Sequence, residues 1–227
     1  MPTPASSPVR YAVQRLTAPL ELDGNWNAVP WRDVPTLHLA HHMGPPPAHR
    51  PRVEARLLYD DDAIYAFWRV EDAFVRAVAR RMHDAVSRDS CVEFFFSPSA
   101  QVGHSYFALE TNCGGTLLFA RHNLPRSDSL LIDPADCAQI QIRASLPPRI
   151  EPEQPGPLTW LLQYRLPIRI LTRYLPVEAP APGVTWRANF FKCADDSSHP
   201  HWLTWAPVHQ TQPDFHRPDA FGAIRFV

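Results

Sequence analysis

Glu93, Glu110, Asn112, Arg187 and Asn189 fall at strand-like spacing among aromatic residues. In an extended chain, side chains alternate between two faces. Over residues 89–97, Val92, Phe94 and Phe96 share one face, and Asp89, Cys91, Glu93 and Phe95 share the other. Over 104–112, Phe107 and Leu109 lie opposite Tyr106, Ala108, Glu110 and Asn112. Over 184–193, Trp186, Ala188 and Phe190 lie opposite Arg187, Asn189 and Phe191. If the three segments share a sheet, carboxylates, amides and a guanidinium line one surface beside aromatic rings. Such a surface suits a polyhydroxylated ligand, because donors and acceptors meet hydroxyls and rings cover less polar faces. The same alternation also describes a solvated sheet face held by a Glu93–Arg187 ion pair, since antiparallel sheets commonly wet one face.

Other chemistries are weaker. Cys193, His199 and His201 are a fragment of a metal set without zinc-site spacing, so no metal is expected. A haem would need Met43 opposed to His41 or His42, or Met82 to His83, yet these are neighbours in sequence. No cofactor is expected. Asp89 and Glu93 sit ~13 Å apart along one strand, beyond the ~5–9.5 Å of paired glycosidase carboxylates. Glu93 and Glu110 on adjacent strands stay geometrically open to catalysis. No G-x-S-x-G, P-loop or dinucleotide fingerprint occurs, so binding is favoured over enzyme activity.

The elements that must position these residues read as short strands. Residues 52–71 are two aromatic and β-branched runs around Asp60-Asp61-Asp62, which predicts a hairpin. Asp suits the turn because its carboxylate bonds nearby backbone N–H groups. Further strands are expected at 89–97, 104–112, 116–121, 139–144, 158–166, 184–193 and 222–227. Residues 123–137 read as a polar loop, and 145–157, with five prolines, as a connection. Pro167 followed by Ile168, Leu171 and Leu175 predicts one short helix. The pattern gives an all-β fold: an antiparallel sandwich with one or two short helices. Residues 1–15 are expected to be a flexible tail, and 16–227 one domain.

Bulk properties agree. The chain has 227 residues, 45% hydrophobic, with 22 basic and 23 acidic side chains. That is enough apolar content for a sizeable core. A net charge of -1 offers nothing to nucleic acid or an acidic membrane surface. Twenty-six prolines against eight glycines imply many loops around short elements. Residues 1–16 lack the apolar run of a secretory leader, giving the expectation of a cytoplasmic protein with four free thiols.

Several short motifs, taken in order, resemble family 9 carbohydrate-binding modules, a DOMON-like sandwich. They are Tyr59-Asp60-Asp61-Asp62-Ala63-Ile64-Tyr65, Val70-Glu71-Asp72, Asp89-Ser90-Cys91-Val92-Glu93-Phe94-Phe95, Trp205-Ala206-Pro207 and Phe221-Gly222-Ala223-Ile224-Arg225-Phe226. The resemblance spans roughly residues 16–227. It implies a jelly-roll-type sandwich that holds sugar between two stacking tryptophans, with Glu, Arg and Asn as polar partners, in carbohydrate catabolism. Glu93 stands at the family's sugar-binding Glu. Val86, Ser87 and Arg88 stand where the first clamp Trp lies, and Ala108 where the Arg lies. Phe215 replaces the second clamp Trp, and Gln212 the Asn. The expected function is a non-catalytic carbohydrate-binding domain with an altered site. The expected ligand contacts are Glu93, Asn112, Arg187, Asn189, Gln212 and Phe215. The alternatives are a sandwich-fold enzyme, or a binder of another small polar ligand through the Glu93, Arg187 and Asn189 surface. A structural domain without a pocket is a third.

Overall fold

The computed structural model describes residues 9–124 and 128–227. Among these residues, fourteen strands form two packed sheets. In chain order they are β1 (Arg10–Arg15), β2 (Leu37–His38), β3 (His41–His42), β4 (Arg52–Tyr59), β5 (Ala63–Ala77), β6 (Cys91–Ser97) and β7 (Ser105–Asn112), then β8 (Leu117–Asn123), β9 (Ser129–Leu131), β10 (Gln141–Ala144), β11 (Ile150–Pro167), β12 (Thr185–Cys193), β13 (Trp202–Thr204) and β14 (Gly222–Phe226). One sheet runs β10-β11-β5-β4, and the other β14-β12-β6-β7-β8-β9. Two four-residue helices, α1 (Pro134–Cys137) and α2 (Ile168–Leu171), complete the fold. The expected all-β sandwich is therefore present.

The expected tail does not hold over its whole length. Residues 1–8 lie outside the described residues, but Arg10–Arg15 is a strand with Tyr11 and Val13 buried. It runs parallel to β14 through Arg10–Val13 and to β4 through Gln14 and Arg15, so one strand joins both sheets. The connection at 145–157 is also corrected. β11 extends back to Ile150 through Pro152, Pro155 and Pro157, with register shifts against β5 that accommodate residues lacking an N–H. The 123–137 loop contains β9 and α1, the latter capped by Asp133 Oδ1 accepting from Ala135 N–H. In the β4–β5 hairpin, Asp60 Oδ1 accepts from the N–H groups of Asp62 and Ala63, as the turn chemistry requires.

The alternation is borne out. Val92, Phe94, Phe96, Phe107, Leu109, Trp186, Ala188 and Phe190 pack between the sheets with Trp68 and Trp160. The second faces are covered too. Trp26, Trp31 and residues near them cover Leu58, Tyr65 and Phe67 of one sheet. Met43, Val86, Val208, Phe215 and Phe221 cover Cys91, Phe95, Tyr106, Phe191 and Cys193 of the other. Gly222 permits the last closure: a Cβ there would lie 2.6 Å from Cζ3 of Trp205 and 2.8 Å from the Val9 carbonyl oxygen.

A charged cluster sits inside this apolar interior. Lys192, on the inward face of β12, donates to the Cys193 carbonyl (2.9 Å) and to His201 Nε2 (2.7 Å), and lies 3.5 Å from Asp72 Oδ2 on β5. His49 Nε2 reaches the other Asp72 oxygen at 2.7 Å. His201 Nδ1–H donates to the His199 carbonyl, so its Nε2 is free to accept from Lys192. Burial, then the Lys192 charge, push the His201 pKa down. Burial alone would raise Asp72, but Lys192 and His49 outweigh it and hold the carboxyl below its usual range.

Two outcomes follow. Phe94→Ala should cost ~3–5 kcal/mol, read as a lowered denaturation midpoint; an unchanged midpoint would mean the strand faces are reversed. His201 stays neutral in the folded chain, whereas the unfolded chain takes up its proton near pH 6.5. Stability from this residue is therefore complete above that pH and is lost as pH falls. By pH 5 the wild type should lose about 2 kcal/mol more than His201→Asn, measured by urea titration at several pH values.

Candidate functional site

Glu93, Glu110 and Phe215 come together at one cleft, whereas Arg187 lines a different one. On β6, Glu93 stands opposite Glu110 of β7 and Phe191 of β12. Arg187 pairs in register with Ser97, four residues along, or ~13 Å away. The expected Glu93–Arg187 ion pair is thus not formed. Arg187 instead donates through Nε to the Gly222 carbonyl (3.0 Å) and through Nη2 to the Phe221 carbonyl. Asn189 is buried, with Oδ1 accepting from Ala206 N–H (2.9 Å) and Nδ2 donating to Ala206 O (3.1 Å). Asn112 shapes the turn after β7: Nδ2 donates to Asp89, and Oδ1 accepts from the N–H groups of Gly114 and Thr116. Gln212 is exposed on the segment leading to β14.

The expected polar surface is accordingly neither one site nor a solvated face. Phe95, Phe191 and Tyr106 lie on it, and residues 206–221 fold over it from β13 to β14. This cover leaves a cleft of about 420 Å³ beside Glu93. Glu93, Glu110, Cys193, Asp195, Trp202 and Phe215 line it, with His122, Asp214 and His216. Phe215 stacks on Phe191, centroids 4.2 Å apart. Half-buried Trp202 is fixed by its indole N–H donating to Asp195 Oδ1 at 2.8 Å. Nearby, Tyr106 OH contacts His216 Nδ1 at 2.8 Å and stacks against His122.

Glu93 and Phe215, singled out from sequence, thus share the cleft. Trp202 was missed as a lining residue, because three-residue β13 shows no alternation that would orient it. Trp205 packs instead on Phe190 in the main core. The Cys193, His199 and His201 fragment is divided: Cys193 faces the cleft, while His201 joins the Lys192 cluster between the sheets.

The electrostatics of Glu93 are set by burial. Its Oε1 accepts from the Cys193 thiol at 3.0 Å. Burial, then Cys193, Glu110 and Asp195, push its pKa well above the usual carboxyl value. Burial also raises Asp195 and, more strongly, the thiol of Cys193. A neutral carboxylic acid can both donate to and accept from a hydroxyl, while a thiol held protonated is a poor nucleophile.

Comparison with known proteins gives one consistent picture. The profile of carbohydrate-binding family 9 matches residues 28–226. A Bacteroides uniformis protein described as a candidate carbohydrate-binding protein superposes with a TM-score of 0.87 and 27% identity, covering 97% of this chain and 100% of that one. A family 9 module from Caldicellulosiruptor kristjanssonii, solved with glucose, gives 0.62 and 16% identity, covering 96% of each chain. The same organism's family 9 module with cellotriose gives 0.60 and 16%, covering 96% of this chain and 93% of that one. No curated protein matches.

Glu93→Gln tests the buried acid. A folded-state pKa raised above the unfolded value means that Glu93 supports folding least at high pH. The variant should equal or exceed the wild type in melting temperature at pH 8, with its advantage shrinking toward pH 4.5. A loss of ~3–5 kcal/mol, as when a buried ion pair is broken, would instead reveal a cationic partner.

Proposed function

The chain belongs to carbohydrate-binding family 9, and on that premise we propose that it binds a neutral sugar in the cleft beside Glu93. The observation that carries this reading is the convergence of Glu93, Glu110, Trp202 and Phe215 in one cleft on the family's scaffold. Aromatic rings offer faces to the C–H side of a pyranose, and carboxyl groups meet its hydroxyls. The neighbours that hold glucose and cellotriose support a gluco-configured ligand.

The site is altered rather than copied. The first clamp position holds Val86, Ser87 and Arg88, and the aromatic ring comes instead from Trp202 on another element. Arg187 and Asn189 act at a distance from the ligand, holding the segment that carries Phe215. With a Phe in place of a clamp Trp, affinity should be near millimolar, about -4 kcal/mol. The domain binds and does not catalyse. One observation favours the second reading of an enzyme: Glu93, with its raised pKa, stands directly opposite Glu110, as an acid beside a second carboxyl would.

Calorimetric titration with glucose, cellobiose and cellotriose tests the reading. Trp202→Ala and Phe215→Ala should each weaken binding by about tenfold or more, ~1–3 kcal/mol per lost stacking or packing contact. Arg187→Ala should weaken binding less than either ring variant, because it loosens the covering segment without removing a group that meets the sugar. No heat with any of the three sugars would overturn the proposal, and release of reducing ends from the oligosaccharides would favour the enzyme.

A further inference from the structure

We propose that Cys91, Glu93 and Cys193 form a binding site for a zinc-class divalent cation at the floor of the cleft. Cys91 and Cys193 are directly opposed across β6 and β12. Glu93 lies two residues from Cys91 on the same face of β6. One ligand atom from each of the three lies within 4.8 Å of the others, and Cys193 Sγ is already 3.0 Å from Glu93 Oε1. A tetrahedral ion with bonds of about 2.0–2.3 Å sets its ligand atoms about 3.3–3.8 Å apart, which modest side-chain rotation would reach. All three side chains are buried on strands, so their backbone positions are fixed by the sheet.

The donor set selects the metal. Two thiolates and a carboxylate suit zinc and its analogues cobalt and cadmium, whereas calcium and magnesium take oxygen ligands throughout. Charge supplies a reason for the grouping. Without a cation, a buried carboxyl beside two thiols is stable only when all three keep their protons, and it gains little from a weak thiol hydrogen bond. A divalent ion exchanges for those protons, which pass to solvent, and leaves three anions around two positive charges. Glu93 and Cys193 line the cleft while Cys91 lies behind them, so the fourth coordination position faces the cleft. Asp195, whose Oδ1 is held by the Trp202 indole, borders that opening. The other two cysteines lack this setting: Cys113 and Cys137 are part of the main core.

The site stands or falls apart from sugar binding, because its test reads the metal. The full chain, reduced and stripped with chelator, is titrated with cobalt(II). Thiolate-to-cobalt charge-transfer absorption should saturate at one equivalent, together with the strong visible bands of a tetrahedral centre, and zinc should displace both. Cys91→Ala removes a ligand that does not line the cleft and should weaken binding by about a hundredfold or more. Cys137→Ala should keep the spectrum, and zinc should raise the melting temperature of wild type but not of Cys91→Ala. If Cys91→Ala fails to fold, Cys91→Ser, closer in volume, gives the same reading. Absence of the charge-transfer band in protein with four titratable thiols would overturn the proposal. So would an undiminished band in the Cys91 variants, or a Cys91–Cys193 disulfide in protein isolated under native conditions.

Discussion

Lys192 and Asp72 face each other between the two sheets, one on each and both fully buried. Charges in such a place are tolerated only when paired and hydrogen-bonded. Lys192 donates to the Cys193 carbonyl and the His201 ring nitrogen, and its charge is paired with the Asp72 carboxylate 3.5 Å away. That arrangement specifies more than it stabilises. A slip of one residue in β12 would turn Lys192 outward and bring Cys193 inward, stranding Asp72. The correct register of β12 against β6 is therefore fixed by charge as well as by Phe190 and Trp186. The same register puts Cys193 and Phe191 on the cleft side.

On the outer face of that sheet, the polar residues of β12 serve as fasteners. Asn189 grips both backbone groups of Ala206, where the covering segment begins, and Arg187 grips the carbonyls of Phe221 and Gly222, where it ends. Phe215, carried between these two points, stacks on Phe191. Residues that alternation groups into one polar surface thus divide into two tasks. Glu93 and Glu110 border the cavity, and Arg187 and Asn189 hold its roof.

Much of this was legible in the sequence, and the failures have physical causes. Alternation assigned Val92, Phe94, Phe107, Trp186 and Phe190 to the core because a period of two is imposed by backbone geometry. The family resemblance singles out Glu93 and Phe215, which line the same cleft. Alternation does not report which strand residues stand opposite one another, so it leaves both Arg187 and Glu110 open as partners of Glu93, and only the register selects Glu110. Nor does it report what covers a face. Phe95 and Phe191 were the available signal: two large rings beside polar groups are poorly suited to water. Pro152, Pro155 and Pro157 hid the first half of β11, since a proline-rich run reads as a break unless a bulge absorbs it. Tyr11 and Val13 hid a strand because a four-residue alternation next to polar residues is a weak signal.

β1 pairs with β14, the last strand, as well as with β4. The contact from Arg10 to Ala223 joins residues far apart in sequence. During synthesis β1 must wait for β14 before the seam closes. Until then the edges of β4 and β14 lack this partner, and open edges recruit strands from other molecules. Contacts so distant in sequence also slow folding. The sandwich is therefore most exposed to misassembly in the interval before β14 is in place, when both sheets can be formed but the strand that joins them has only one of its two partners.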